Sequence, residues 1–348
     1  MSAAIAALIY WDGQLVEPQV MQAANRSIHL SYPDGDWVWV DGSVGLAQAD
    51  LATLPEDEPG AAYFTESLRL AASCRLDNRE ELRQQLPAEW LPRSSSDAAL
   101  ILAAYQVWGE DCVIRLIGDF AFVIWDQRQR RLFAARDLFG ARPLFYYRDP
   151  RLLCLATEHT QILQEPTIPL EVDPAQITEY FTPSFQWSSG WDQGMLQGFH
   201  ALPAGSTLTA QDGKLQIRPY WQWRHIGYDR RAERELLAEY RHHLQMALKS
   251  RLRSRTPVGF ELSGGLDSTA LVCLGARWPH ANGKPLATFS MIFDETPAVN
   301  EHERIQSVLD SLAEPAKAHF LNADGLFAPA CLSPMWSPNS ITSPQTLT

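Results

Sequence analysis

Two kinds of hydrophobic spacing divide this chain. Up to about residue 200, apolar positions come in short runs or alternate with polar ones, the period-two pattern of strands. "WVWVDG" (37–42) alternates into an Asp-Gly turn, and "DFAFVIWDQRQRRLFAARD" (119–137) predicts strands at 120–125 and 131–135 around a polar turn. "LFYYR" (144–148) and "LLCLATE" (152–158) repeat that layout. Helical spacing interrupts it: "SDAALILAAYQVWG" (96–109) offers Ser96 or Asp97 as N-cap, an apolar face, and Gly109 as stop. Strands with interspersed helices predict an α+β domain over 1–200, and the segment 183–230, rich in Pro, Gly, Trp and Ser, predicts a crossover between domains, with the linker at 201–231.

From 232 the texture changes. "AERELLAEYRHHLQMALKSRL" places Leu237, Tyr240, Leu244, Ala247, Leu248 and Leu252 on one helical face. A strand (258–262), a glycine loop, a helix (267–276), a strand (286–293) and a helix around 300–313 follow. Alternating β and α units predict a parallel, doubly wound α/β sheet over 232–325. Proline, serine and threonine dominate the last stretch, so 326–348 is expected to be disordered.

Composition adds exclusions. A length of 348 residues favours two domains, and a net charge of −12 argues against sequence-blind binding to nucleic acid. The cationic run Lys249 to Arg255 lies where a helix C-terminus favours cations. The five cysteines are far apart and form no C-x-x-C pair, so neither zinc nor a disulfide framework is expected. The apolar run Ala3–Tyr10 has no basic residue before it and no stretch reaches membrane-span length, which predicts a cytoplasmic protein with no membrane partner.

The chemistry concentrates in Ser263-Gly264-Gly265-Leu266-Asp267-Ser268, between a predicted strand and a predicted helix. Glycines let backbone N–H groups approach phosphate oxygens, and the helix N-terminus adds partial positive charge. The lysine of a Walker A loop is absent. Asp267 in its place would repel phosphate unless Mg²⁺ intervenes, so the string points to a metal-bound pyrophosphate. A plain glycine turn with a capping Asp would explain one glycine and the Asp, but not all six residues.

This string resembles the signature of the ATP pyrophosphatases, and "GDFAFVIWDQRQRRLFAARDLFGARPLFYY" (118–147) is similar to the asparagine synthetase family, including Arg136-Asp137, Phe139-Gly140 and Pro143-Leu144. "ATEHTQIL", "LPAG" and "TFSMIFDE" (288–295) fit the same family. The resemblance implies an Ntn-hydrolase-like αββα domain of the class II glutamine amidotransferase type. An α/β ATP-pyrophosphatase domain would follow, incomplete at its C-terminal end. It also implies ATP and Mg²⁺ as cofactors. Leu262 to Ser268 would hold pyrophosphate, Met291 would lie near adenine, and Asp267 would reach the metal.

The amidotransferase half departs from the family pattern. Glutamine-dependent members begin Met-Cys-Gly and use the cysteine thiol as nucleophile; here the cysteine aligns with Ser2 or Ala3. The glutamine-binding Asn-Gly-Glu-Ile-Tyr-Asn stands as Ser73-Cys74-Arg75-Leu76-Asp77-Asn78, which reverses the charge of its glutamate. The arginine that holds the glutamine carboxylate aligns with Ala49. Asp97 keeps its place, though a helix cap explains it equally. "RLDNREEL" (75–82) is similar to the β-lactam and lasso-peptide macrolactam synthetases. These features predict a ligase that activates a carboxylate as acyl-AMP without hydrolysing glutamine, and whose substrate is a small-molecule acid or a precursor peptide. A homodimer is left open. Two other readings stand beside it: a glutamine-hydrolysing asparagine synthetase, and a truncated, non-catalytic fragment or ATP- or peptide-binding module, supported by the absence after Asp324 of the family's Gly-Asp-Glu segment. Glu301-His302-Glu303 reads as a solvated first helical turn, with no H-E-x-x-H.

Overall fold

The first strand shows how the N-terminal unit is built. In β1 (Ala3–Tyr10) every residue is buried, which requires a packing partner on both faces. Ile5, Ala7 and Ile9 point into one cluster and Ala6, Leu8 and Tyr10 into another, as strand alternation demands. The computed structural model describes residues 3–28, 34–181, 195–224, 227–278 and 285–324, in two compact units that divide after Asp229.

In the first unit, β1 is followed by α1 (Pro18–Arg26), β2 (Gly35–Asp41), β3 (Val44–Asp50), β4 (Tyr63–Phe64) and β5 (Leu68–Leu76). Then come α2 (Arg79–Gln85), α3 (Asp97–Trp108), β6 (Gly118–Asp126), β7 (Arg131–Arg136), β8 (Phe145–Arg148), β9 (Leu152–Ala156), α4 (His159–Ile162) and α5 (Pro174–Tyr180). The last strands are β10 (Phe199–Ala201), β11 (Ser206–Gln211) and β12 (Lys214–Pro219). Two antiparallel sheets result, in the orders β10-β8-β9-β1-β3-β2 and β12-β11-β7-β6-β5-β4.

Three cores make this unit a four-layer αββα sandwich. Between the sheets lie Ile5, Val44, Leu46, Val123, Leu155 and Leu208. Outside the second sheet, Phe120, Phe122 and Phe133 pack against α3. Their rings lie 5.7 and 6.0 Å apart, with Tyr105 stacked 5.3 Å from Phe133, contacts worth about 0.5–1.5 kcal/mol each beyond area burial. Outside the first sheet, Met21 and Ala24 of α1 and Ile162 of α4 meet Leu8 and Tyr10. This is the αββα layering that the resemblance implied.

The Arg136-Asp137 pair is a structural lock. Asp137, 1% exposed, accepts N–H groups of Phe120, Phe139, Ala141 and Arg142 at 2.9–3.2 Å. The Arg136 guanidinium donates to the carbonyls of Gly140, Arg142 and Leu202 at 2.7–2.8 Å. Gly140 has φ +65°, and a Cβ there would stand 2.8 Å from that guanidinium, so only glycine fits. The motif fixes the turn between β7 and β8.

The segment 201–231, predicted as a linker, is largely part of the sandwich. β11 pairs with β7 and forms a hairpin with β12 around Asp212-Gly213, both at positive φ, the turn type that Asp-Gly favours. At α3, Ser96 is the N-cap, its hydroxyl accepting Ala99 N–H at 3.1 Å, and Asp97 is the first helical residue.

The second unit carries α6 (Glu233–Arg251), β13 (Gly259–Glu261), α7 (Leu266–Gly275), β14 (Ala287–Ile292), α8 (His302–Asp310) and β15 (Lys317–Asn322). The three strands are parallel, in the order β13-β14-β15. One core joins Leu248, Phe260, Leu262, Val272, Leu286 and Ile305, so α6, α7 and α8 contribute to a single cluster. Phe289, Met291 and Leu321 are exposed. Of the expected apolar face of α6, only Leu248 is buried, while Leu237 and Tyr240 are exposed. The tail at 326–348, expected to be disordered, lies outside the described residues.

Candidate functional site

The glycine loop joins β13 to α7. Gly264 has φ +76°, and a Cβ on it would stand 3.0 Å from Cβ of Arg304, so the chain turns here because a glycine allows it. Gly265 is the N-cap of α7 and supplies no side-chain cap to the leading N–H groups. The two serines close the loop: Ser268 Oγ accepts Ser263 N–H at 3.2 Å, lies 3.1 Å from Ser263 Oγ, and donates to the Gly265 carbonyl at 3.2 Å. Leu266 is exposed, and Asp267 occupies the first turn of the helix. Uncapped N–H groups, a bend that excludes a side chain and two hydroxyls form a cradle that fits a phosphate.

Around the loop the predicted residues divide. Leu262 is buried in the helix-facing core, its N–H bound to the Phe289 carbonyl at 2.9 Å. Met291 shares the opposite, exposed face with Phe289, since side chains alternate along a strand. A ligand touching both would therefore meet Leu262 through its main chain. Among the described residues no group of three or more His, Cys, Asp or Glu side chains could hold a metal alone. Asp267 thus suits a Mg²⁺ only in company with phosphate oxygens and water. Glu301 precedes α8 and His302 begins it, in agreement with a helix start.

In the first unit, a cleft of about 30 Å³ opens where β1 starts and β3 ends, lined by Ala3, Gln48, Asp50, Asp57, Cys74 and Asp97 among others. That volume holds one or two waters and not a glutamine molecule. Buried polar groups of this lining are held by hydrogen bonds and one ion pair. Arg79, buried, donates to the Asp97 carboxylate and to the Ser95 carbonyl, the latter at 2.6 Å, and stands 3.8 Å from Glu56. Asp97 also accepts Leu76 N–H at 2.8 Å. Gln48 donates to Asp50 at 2.6 Å and accepts Ala72 N–H at 2.8 Å.

Electrostatics leave the cleft without an activated nucleophile among the described residues. Burial pushes the Cys74 thiol well above its ordinary pKa, and nearby Asp97 and Asp57 push it further, so it stays protonated. Burial also raises Asp50 and Asp57, against the hydrogen bonds that Gln48 and Gly60 give to the first and Leu54 and Thr53 to the second. Tyr63 is pushed up to about 12, mainly by burial.

Other predicted positions fall as follows. Asp97 lies in the cleft and Ser2 lies outside the described residues. Arg75 stands 3.7 Å from Asp77, on the other face of β5 from Cys74. Ala49 is fully buried between Gln48 and Asp50, and alternation turns it away from the cleft that its neighbours line. The arginine position assigned to Ala49 therefore does not face the cleft. The meeting of Gln48, Asp50, Asp57 and Arg79 is not legible in local sequence, because it depends on pairing between distant strands and loops. The one local signal was the acidic loop at 56–58.

Residues 2–221 match the family model of a glutamine amidotransferase domain, and residues 239–335 match that of asparagine synthase. "Asparagine synthetase [glutamine-hydrolyzing] 3" of Bacillus subtilis (strain 168) is 31% identical over 291 residues, covering 81% of this chain and 47% of its own length. Amidase chyE of Penicillium rubens is 28% identical over 279 residues, covering 74% of this chain and 40% of its own. The chain thus spans about half the length of the curated relatives it matches. Among solved structures, the glutamine phosphoribosylpyrophosphate amidotransferase from B. subtilis aligns at TM-score 0.46 and 16% identity, over 63% of this chain and 49% of that one.

Proposed function

This chain belongs to the asparagine synthase family, and from that premise we propose an ATP-dependent, amide-forming ligase whose amidotransferase domain does not hydrolyse glutamine. The observation that carries the second half is the filled cleft: about 30 Å³ remains beside a buried Arg79–Asp97 pair. Cys74, held protonated, cannot replace a missing nucleophile. The domain then serves as a scaffold or as a wall facing the substrate.

The first half rests on the loop. The N–H groups that begin α7, together with Ser263 and Ser268, would take the phosphates, and Asp267 would reach a Mg²⁺ carried by them. ATP, when bound, would supply the adenylyl group that activates a substrate carboxylate as acyl-AMP, with pyrophosphate leaving and an amine then displacing AMP. The acid is a small molecule or a precursor peptide. Calorimetry with Mg-ATP tests this reading. Saturable binding that Asp267→Ala weakens about tenfold or more is expected, and unaltered binding in that variant would overturn the assignment.

A further inference from the structure

The cleft holds a glutamine of its own. Gln48 is 4% exposed, and both ends of its carboxamide are satisfied. Its oxygen accepts Ala72 N–H at 2.8 Å and its nitrogen donates to Asp50 Oδ1 at 2.6 Å. Asp50 is held from its other side, where Oδ2 accepts Gly60 N–H at 2.8 Å. Ala72 belongs to β5 in one sheet and Gln48 to β3 in the other, so this amide bridges the two sheets at the mouth of the sandwich. β4 pairs with β5 only at Leu70 and Arg69, so nothing from that strand reaches the Ala72 N–H.

A backbone donor and a carboxylate acceptor, placed to meet the oxygen and nitrogen of one carboxamide, define a receptor for a primary amide. We infer that Gln48 is a tethered occupant of this receptor. The cleft is closed to free amides because position 48 supplies the amide from within the chain. This inference rests on the reading that the domain does not hydrolyse glutamine, and it names what keeps the cleft filled.

The geometry selects strongly for the amide. A carboxylate at position 48 would face Asp50 without a proton to donate, and an apolar side chain of the same length would strand Ala72 N–H and Asp50 together. Removal of the side chain would leave the donor and the acceptor around an empty, polar, amide-shaped space.

The test compares the full chain with Gln48→Ala and Gln48→Met by thermal unfolding, with and without propionamide at tens of millimolar. Gln48→Ala is expected to lower Tm by roughly 5 °C or more, and propionamide to restore at least half of the loss. Propionate, which cannot donate to Asp50, should restore none. Gln48→Met, whose cavity is filled, should fall and not recover. In the unaltered chain, where the receptor is taken, propionamide should leave Tm unchanged, and the Gln48 side-chain NH₂ should exchange slowly with solvent by NMR. That exchange measurement decides the matter if Gln48→Ala fails to fold. Fast exchange, or equal response of all three proteins to propionamide, would overturn the inference. Glutamate release from glutamine by the unaltered chain would instead overturn the reading on which it rests.

Discussion

Arg79 donates to the carboxylate of Asp97, and Asp97 accepts the N–H of Leu76 at 2.8 Å, so one buried ion pair ties α2 to the start of α3 and to the end of β5. Asp97, held by this pair, lines the cleft. Removal of the cation would strand a carboxylate that is 2% exposed. Arg79→Met should therefore destabilise the first unit by about 3–5 kcal/mol in urea unfolding. A loss below 1 kcal/mol would mean that the pair does not tie these elements together.

Asp57 predicts an unusual pH dependence. Burial raises its folded-state pKa, so the native state holds this proton more tightly than the unfolded chain does. Its contribution is present below the unfolded value of about 3.9 and is lost as pH rises through the raised folded value. Asp57→Asn keeps an oxygen for the Thr53 and Leu54 N–H groups and cannot ionise. The stability of the variant relative to the unaltered protein should therefore grow as pH rises above about 4. A constant difference across that window would contradict the burial account.

His159 titrates in the opposite sense. Its ring lies 4.0 Å from that of Phe145, its Nε2 is buried without a hydrogen-bond partner among the described residues, and burial lowers its pKa. The unfolded state then binds the proton more tightly. The stability gained is full above the unfolded pKa of about 6.5 and is lost as pH falls through the lowered folded value. His159→Phe should abolish this acid-side loss. Chemical unfolding of both proteins between pH 5 and pH 8 measures it, and parallel curves would dismiss the assignment.

At the phosphate loop, Gly264→Ala forces an L side chain into positive φ and against Arg304. A cost of about 1–2 kcal/mol to the second unit is expected, together with loss of Mg-ATP affinity. Full ATP affinity in a folded Gly264→Ala protein would show that the loop does not cradle the nucleotide.

Local signals in the sequence reached some of these features and not others. The strand-loop-helix over 259–275 is visible because two glycines stop an apolar run and helical spacing follows at once. β6 and β7 are visible for the same reason, apolar runs on either side of a polar turn. β11 and β12 carried their own signal in Asp212-Gly213, but the surrounding proline, tryptophan and glycine outweighed it. The cleft was out of reach. Arg79 meets Asp97 across eighteen positions, and Gln48 meets Ala72 across twenty-four, through a sheet order that no local pattern encodes. The reversed charge at Arg75 points to a changed glutamine site, yet that side chain pairs with Asp77, and it is Arg79 that pairs with the cleft residue Asp97.

The most direct measurement is glutamate release from L-glutamine by the purified chain, with and without Mg-ATP and a candidate acid. The filled cleft predicts no release above the rate without enzyme at any glutamine concentration. Steady, saturable glutamate production would contradict it, and would require the cleft to open around a nucleophile that the described residues do not supply.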